Sequence, residues 1–159
     1  MNDNSEARRM LRGSHVASAD ADLGAAPPAD PMALTLILRR RTPLPTAGSG
    51  AAVPPMDRSE FARLHGARDE DVAAVRRFAA AHGLAVDAVD VAARSVRVSG
   101  SVARIQEAFG VRIRCYRGAG DQAYRANDGD ASLPSGVADA VETVLGLSER
   151  PVAAPRRAP

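Results

Sequence analysis

The stretch RSVRVSGSVARIQEAFGVRIRCY, from Arg94 to Tyr116, decides the fold because it reads as a strand, a helix and a second strand. In each flanking run apolar residues alternate with polar ones, mostly arginine, which is the pattern of a strand with one buried face. Between the runs, apolar residues recur at the spacing of one helix face, with Ser101 placed to cap the helix and Gly110 placed to end it. That helix face consists of Val102, Ile105, Ala108 and Phe109. The stretch therefore predicts a β-α-β unit.

The chain before this stretch predicts a matching unit. From Met32 to Arg41, leucines at every second position indicate a strand that is apolar at its centre. A helix is predicted from Asp69 to His82, because three acidic residues open it and Gly83 can close it. Leu84 to Val91 then alternates as a strand. Before this helix, the capping-box-like pair Asp57 and Glu60 predicts a short extra helix that ends at Gly66.

Two strand-helix-strand units in succession predict an α+β, ferredoxin-like fold, β-α-β-β-α-β, with an antiparallel sheet and both helices on one face. We expect Phe78 and Phe109, from the two equivalent helices, to pack against the same sheet face as Val96, Val98, Val111 and Ile113. After Tyr116, AYRAN predicts a short strand, and LPSGVADAVETVLGL, from Leu133 to Leu147, predicts a third helix. The extra helices would be additions to the ferredoxin-like core.

Composition divides the chain into three parts. Residues 1–31 mix Asp, Arg, Gly, Ala and Pro without a sustained period, so we predict a flexible leader. Residues 32–147 form the predicted ferredoxin-like domain. Residues 148–159 contain three prolines and no period, so we expect an extended linker that leads away from the domain.

Charge and hydropathy argue against two classes of partner. The net charge is only +2, and no long block of like charge suggests nucleic-acid binding. No apolar run is long enough to span a membrane, and the N-terminus lacks the pattern of a secretory signal. The single cysteine, Cys115, excludes an internal disulfide and is expected to point into the core.

Catalytic and cofactor-binding patterns are not recognisable. The serines fall in predicted caps, turns and the leader, and there is no glycine-rich phosphate loop. Two of the histidines, His65 and His82, each precede a helix-ending glycine, where an imidazole can bond carbonyls of the last turn, and His15 lies in the leader. We therefore expect no catalytic residue, cofactor or metal in this chain, and no enzymatic activity of its own.

An ordered series of segments resembles the prodomain of sedolisins, the kumamolisin-type serine-carboxyl peptidases. The series runs through LTLILRRR, AHGL, VSGSVARIQEAFGV, YRAN and VLGL to the tail SERP, within Leu34 to Pro151. The resemblance implies a propeptide of a secreted precursor that assists folding of the peptidase, keeps it latent and is removed autocatalytically in acid. The Ser-Glu-Asp triad and a calcium site would lie in a peptidase domain downstream.

The resemblance also assigns roles to two sets of residues. If the helices cover one face of the sheet, the other face carries Thr35, Ile37, Arg97, Arg112 and Arg114, and by resemblance this face docks on the cognate peptidase, in cis or in trans. The start of the linker, Ser148, Glu149, Arg150 and Pro151, would be directed toward the peptidase cleft. We favour a part of a longer zymogen, and a stand-alone ferredoxin-like binding or peptidase-inhibitor module remains the alternative.

Overall fold

The computed structural model describes residues 7–151 apart from 47, 49 and 51–53. In chain order, its elements are β1 (Arg8–Met10), β2 (Ala21–Ala25), β3 (Pro31–Leu38), α1 (Arg58–His65), α2 (Asp69–Ala81), β4 (Ala85–Asp90), β5 (Ser95–Ser101), α3 (Val102–Phe109), β6 (Arg112–Arg117), β7 (Ala123–Asp128), β8 (Ser132–Pro134), α4 (Ser135–Ala138) and β9 (Val141–Leu145). The fold is α+β, with antiparallel sheets.

The main sheet has the ferredoxin-like arrangement. Its four strands lie in the order β4-β5-β3-β9, and each neighbouring pair is antiparallel. Helices α2 and α3 contribute their buried residues to one core with the inward side chains of β3 and β5. The predicted fold class is confirmed, and so are the predicted helices at α1, α2 and α3.

The core joins the two equivalent helices through their aromatic residues. Phe78 and Phe109 contact each other edge to face, with ring centroids 5.5 Å apart and an interplanar angle of 83°. Phe109 is completely buried. The Ser101 hydroxyl accepts a hydrogen bond from the backbone N–H of Arg104, and Gly110 ends α3 with φ +60°, a conformation that glycine adopts without a steric penalty. The predicted packing of both aromatic residues in the core is confirmed, and so are both caps.

The identity of the fourth strand differs from the prediction. The sequence pattern placed Val111 to Cys115 there and assigned Leu133 to Leu147 to a helix, whereas β9 fills that position and pairs with β3. Of the predicted third helix only the short α4 forms. The free edge of β3 carries main-chain groups that need partners, and β9 is rich in β-branched residues, so strand pairing overrides a local pattern that also fits a helix.

The second sheet contains β6 together with part of the predicted leader. Its strand order is β2-β6-β7, and β1 pairs separately with β8. The prediction of a flexible leader is therefore wrong for residues 8–10 and 21–25, which are strands. These strands are short and mostly exposed, and their hydrogen-bonding partners lie about ninety or more residues away along the chain. A local hydrophobic period cannot show such pairing.

Candidate functional site

The uncovered face of the main sheet brings together three of the five residues predicted for docking. On it, Thr35 lies opposite Arg97 of β5 on one side and opposite Leu145 of β9 on the other. Ile37 lies two residues along β3, opposite Thr143. Thr35 and Ile37 are half-buried, Arg97 is exposed, and 52% of Leu145 is exposed. We call the set Thr35, Ile37, Arg97, Thr143 and Leu145 the outer face.

Two outer-face residues were missed by the sequence analysis. Thr143 and Leu145 were assigned to a helix, and Leu145 was placed on its buried stripe, so neither was considered for docking. The strand preference of the run from Val141 to Val144 was a usable signal. An exposed leucine on β9, near a half-buried isoleucine on β3, gives this face an apolar centre, and the cation Arg97 lies on the neighbouring strand β5. Such a surface suits a partner with an apolar ridge and an acidic group.

Arg112 and Arg114 do not belong to the outer face. They lie on β6 in the second sheet, where Arg112 is 3.0 Å from the Asp128 carboxylate and Arg114 Nε is 2.8 Å from Asp22 Oδ2. The prediction that all five residues share one face is wrong on this point, because it assumed that β6 was the fourth strand of the main sheet. Their contacts are instead with carboxylates on neighbouring strands of their own sheet.

The Arg114–Asp22 pair ties β2 to β6. The hydrogen bond from Arg114 and a second one from the Gly24 backbone N–H hold the pKa of the Asp22 carboxyl below its ordinary value. A carboxylate with a lowered pKa in the folded state stabilises the fold above its unfolded pKa of about 3.9, and this stabilisation is lost as the pH falls through the folded pKa. The pair should therefore hold at neutral and mildly acidic pH.

Asp22→Asn should lower the melting temperature at pH 7 and leave it close to wild type at pH 2. The charged pair is present at pH 7 only in the wild type, and its contribution is lost as the pH falls through the folded-state pKa of Asp22, which lies below the ordinary value. Thermal unfolding of both proteins from pH 7 to pH 2 measures the difference. Arg114→Gln, which removes the other partner, should behave in the same way, and a difference that persists at pH 2 would contradict the assignment.

The four predicted linker residues remain attached to the domain. One main-chain hydrogen bond joins them to β7, from Glu149 N–H to Arg125 O at 2.8 Å, and a second joins the residue before them, from Asn127 N–H to Leu147 O at 3.1 Å. The chain therefore does not leave the domain at Ser148 as predicted. Pro151 is the last described residue, and it is exposed.

The side chains of the three histidines and of Cys115 pack against or bond to other parts of the fold. His65 is buried, and its Nδ1 is 2.9 Å from the Thr42 carbonyl oxygen, so its partner is in the preceding loop and not in the last helical turn as predicted. His82 packs on Phe78, and His15 Nδ1 is 2.8 Å from the Asn127 carbonyl oxygen. Cys115 is partly buried against the core. Within the described ranges, no three acidic, His or Cys side chains are grouped as metal ligands would be.

Comparison with known proteins identifies the family. The model described as "Pro-kumamolisin, activation domain" matches residues 42–150, which is more than half of the chain. The chain belongs to this family. Its similarity to kumamolisin of Bacillus sp. (strain MN-32) is 43% identity over 100 residues, covering 63% of this chain and 18% of the relative. The chain thus spans under a fifth of the length of that relative, and it is a sedolisin-type prodomain.

The family assignment fits the architecture described above. Its main sheet and helices are consistent with a ferredoxin-like prodomain. No helix in the part of the chain that the structure covers has both the length and the apolar character needed to cross a bilayer.

Proposed function

We propose that this activation domain is the propeptide of a secreted, acid-activated serine-carboxyl peptidase, which it helps to fold and keeps latent by docking through the outer face. The observation that carries the proposal is the uncovered side of the main sheet, with Leu145 52% exposed beside Ile37 in a chain of this family. Removal of the propeptide by the peptidase would be autocatalytic.

The shape of the outer face supports a helical partner. The strands next to Arg97 present small residues on this side, with Ala88 opposite Arg97 and Ala85 opposite Ser99. Asp87 also lies on this side, where its carboxylate accepts a hydrogen bond from the Ser99 hydroxyl, so a peptidase helix would meet small side chains and this carboxylate. The interface would have an apolar centre and a polar rim in which Arg97 meets a carboxylate.

The purified chain should inhibit a kumamolisin-type peptidase in trans at neutral pH, with a Kd below about 1 µM, as expected for an interface of standard size. Enzyme assays with increasing chain concentration measure this inhibition. An unrelated trypsin-like peptidase is the control and should not be inhibited. The absence of inhibition at about 100 µM, against several kumamolisin-type peptidases, would contradict the proposal.

Release in acid follows if carboxylates pair with cations such as Arg97 across the interface. A carboxylate whose pKa is lowered by pairing stabilises the complex above its free pKa, and this contribution is lost as the pH falls through the bound pKa. The same assay near pH 4 should therefore give a weaker Kd than at pH 7. Equal affinity at both pH values would exclude electrostatic release while leaving inhibition itself intact.

A further inference from the structure

The end of the described chain is fastened to β7 by side chains as well as by its backbone. Arg125 forms a two-pronged ion pair with Glu149: Nε lies 2.8 Å from Oε2, and Nη2 lies 2.5 Å from Oε1. The remaining nitrogen, Nη1, donates to the Pro31 carbonyl oxygen at 3.0 Å. Only 20% of the Arg125 side chain is exposed. A planar guanidinium that uses all three nitrogens fixes both the position and the orientation of its partner.

A second ion pair holds the next residue. Arg150 Nη2 lies 3.3 Å from Asp20 Oδ2, and the same carboxylate accepts a hydrogen bond from the buried Tyr124 hydroxyl at 2.6 Å. Asp20 is thereby tied to β7 on one side and to the tail on the other. We call Asp20, Arg125, Glu149 and Arg150 the tail clasp. It joins the tail to three distant parts of the chain: β7, the start of β3 and the segment before β2.

We propose that the tail clasp is a positioning device that fixes the point at which the chain leaves the domain, so that the residues after Pro151 meet the peptidase in one register. This inference rests on the proposed function, because it assigns Arg125 and Glu149 the task of presenting the propeptide's own linker for cleavage. A linker held at a defined point samples fewer placements in a cleft than one free from Leu147 onward. Glu149 itself is withheld from cleavage because its backbone N–H is bound to Arg125 O of β7.

The surroundings of Asp20 indicate that its ion pair with Arg150 persists in mild acid. Three contacts hold the pKa of the Asp20 carboxyl below its ordinary value: the Tyr124 hydrogen bond first, then that from Ser18 and the charge of Arg150. The hydrogen bond to Glu149, together with the charges of Glu149 and Asp30, raises the pKa of Arg125. A carboxylate with a lowered pKa remains ionised near pH 4 to 5. The Asp20–Arg150 pair would thus persist under the conditions in which the interface is proposed to weaken.

Arg125→Gln in the 159-residue chain tests the tail clasp without any peptidase. Amide hydrogen exchange measured by NMR should become faster at Glu149, on the order of tenfold, because the charged pair that holds its N–H on Arg125 O is lost. Arg117→Gln is the matched control on β6, where the partner is Asp121, and should leave Glu149 unchanged. Unchanged exchange at Glu149 in Arg125→Gln would overturn the tail clasp.

The positioning role is tested by mapping cleavage. Incubated with a kumamolisin-type peptidase at acid pH, the wild-type chain should be cut at one dominant bond after Pro151, whereas Arg125→Gln should be cut at several bonds, including bonds between residues 148 and 151. Combining Arg125→Glu with Glu149→Arg should restore much of the single-site pattern by reversing the pair. Faster exchange with an unchanged cleavage pattern would overturn positioning alone. A wild-type chain that is neither inhibitory nor cut would overturn the proposed function and positioning with it, while the exchange result still decides the clasp.

Discussion

Replacing Phe109 by alanine should lower the free energy of unfolding by about 3 to 5 kcal/mol, the usual cost of truncating a buried aromatic residue. Phe109 is completely buried and makes an edge-to-face contact with Phe78, so the substitution leaves a cavity between α3 and α2 and removes an aromatic pair. A domain of this size has roughly 5 to 15 kcal/mol of stability in total. The midpoint of denaturant unfolding should therefore lie at a lower denaturant concentration for the variant than for the wild type.

Urea unfolding followed by circular dichroism measures this loss, provided that the slope of the transition is unchanged. Phe61→Ala is the matched control, because Phe61 is half-buried at the edge of the fold against His65 and Arg40. It should cost clearly less than Phe109→Ala. If the two variants had equal midpoints, Phe109 would not occupy the centre of the core.

The second large effect is expected at the outer face, where Leu145→Glu should weaken inhibition of a kumamolisin-type peptidase about 100-fold. This factor corresponds to about 2.7 kcal/mol, which is typical of an interface hot spot. The substitution puts a charge at the apolar centre of the proposed interface, where it would lose its water on docking. Leu145 is already 52% exposed in the free chain, so the stability of the chain itself should change little.

Arg112→Glu is the matched control for Leu145→Glu. It also introduces a glutamate on an exposed strand position, but on β6 of the second sheet, so inhibition should stay within about threefold of wild type if the outer face alone docks. Inhibition constants for the three proteins, with melting temperatures to confirm folding, complete the test. A loss with Arg112→Glu and none with Leu145→Glu would move the interface to the second sheet.

Several features of this chain could be predicted from the sequence because neighbouring residues determine them. The α3 helix, from its Ser101 cap to Gly110, depends on a hydroxyl, an apolar stripe and a glycine that are all within ten residues of one another. The helix faces that carry Phe78 and Phe109 follow from the same local period. Two helices with apolar stripes on one face of a sheet must share a core, so the packing of both aromatic residues against that face could be predicted as well. The ordered series of motifs was enough to indicate the family.

The sequence alone did not determine which strands are neighbours. Which residues share the outer face depends on those neighbours. Periodicity shows that Arg112 and Arg114 share a strand face, but not that this strand pairs with β2 and β7 instead of β3. The local pattern also placed Leu145 on a helix, because periodicity could not show that β9 pairs with the open edge of β3. The tail clasp joins residues that are between 24 and 130 positions apart, and such pairs have no local signature. Strand pairing satisfies the main-chain hydrogen-bonding groups of segments that are far apart in the sequence. For this reason it is decided only in the tertiary structure.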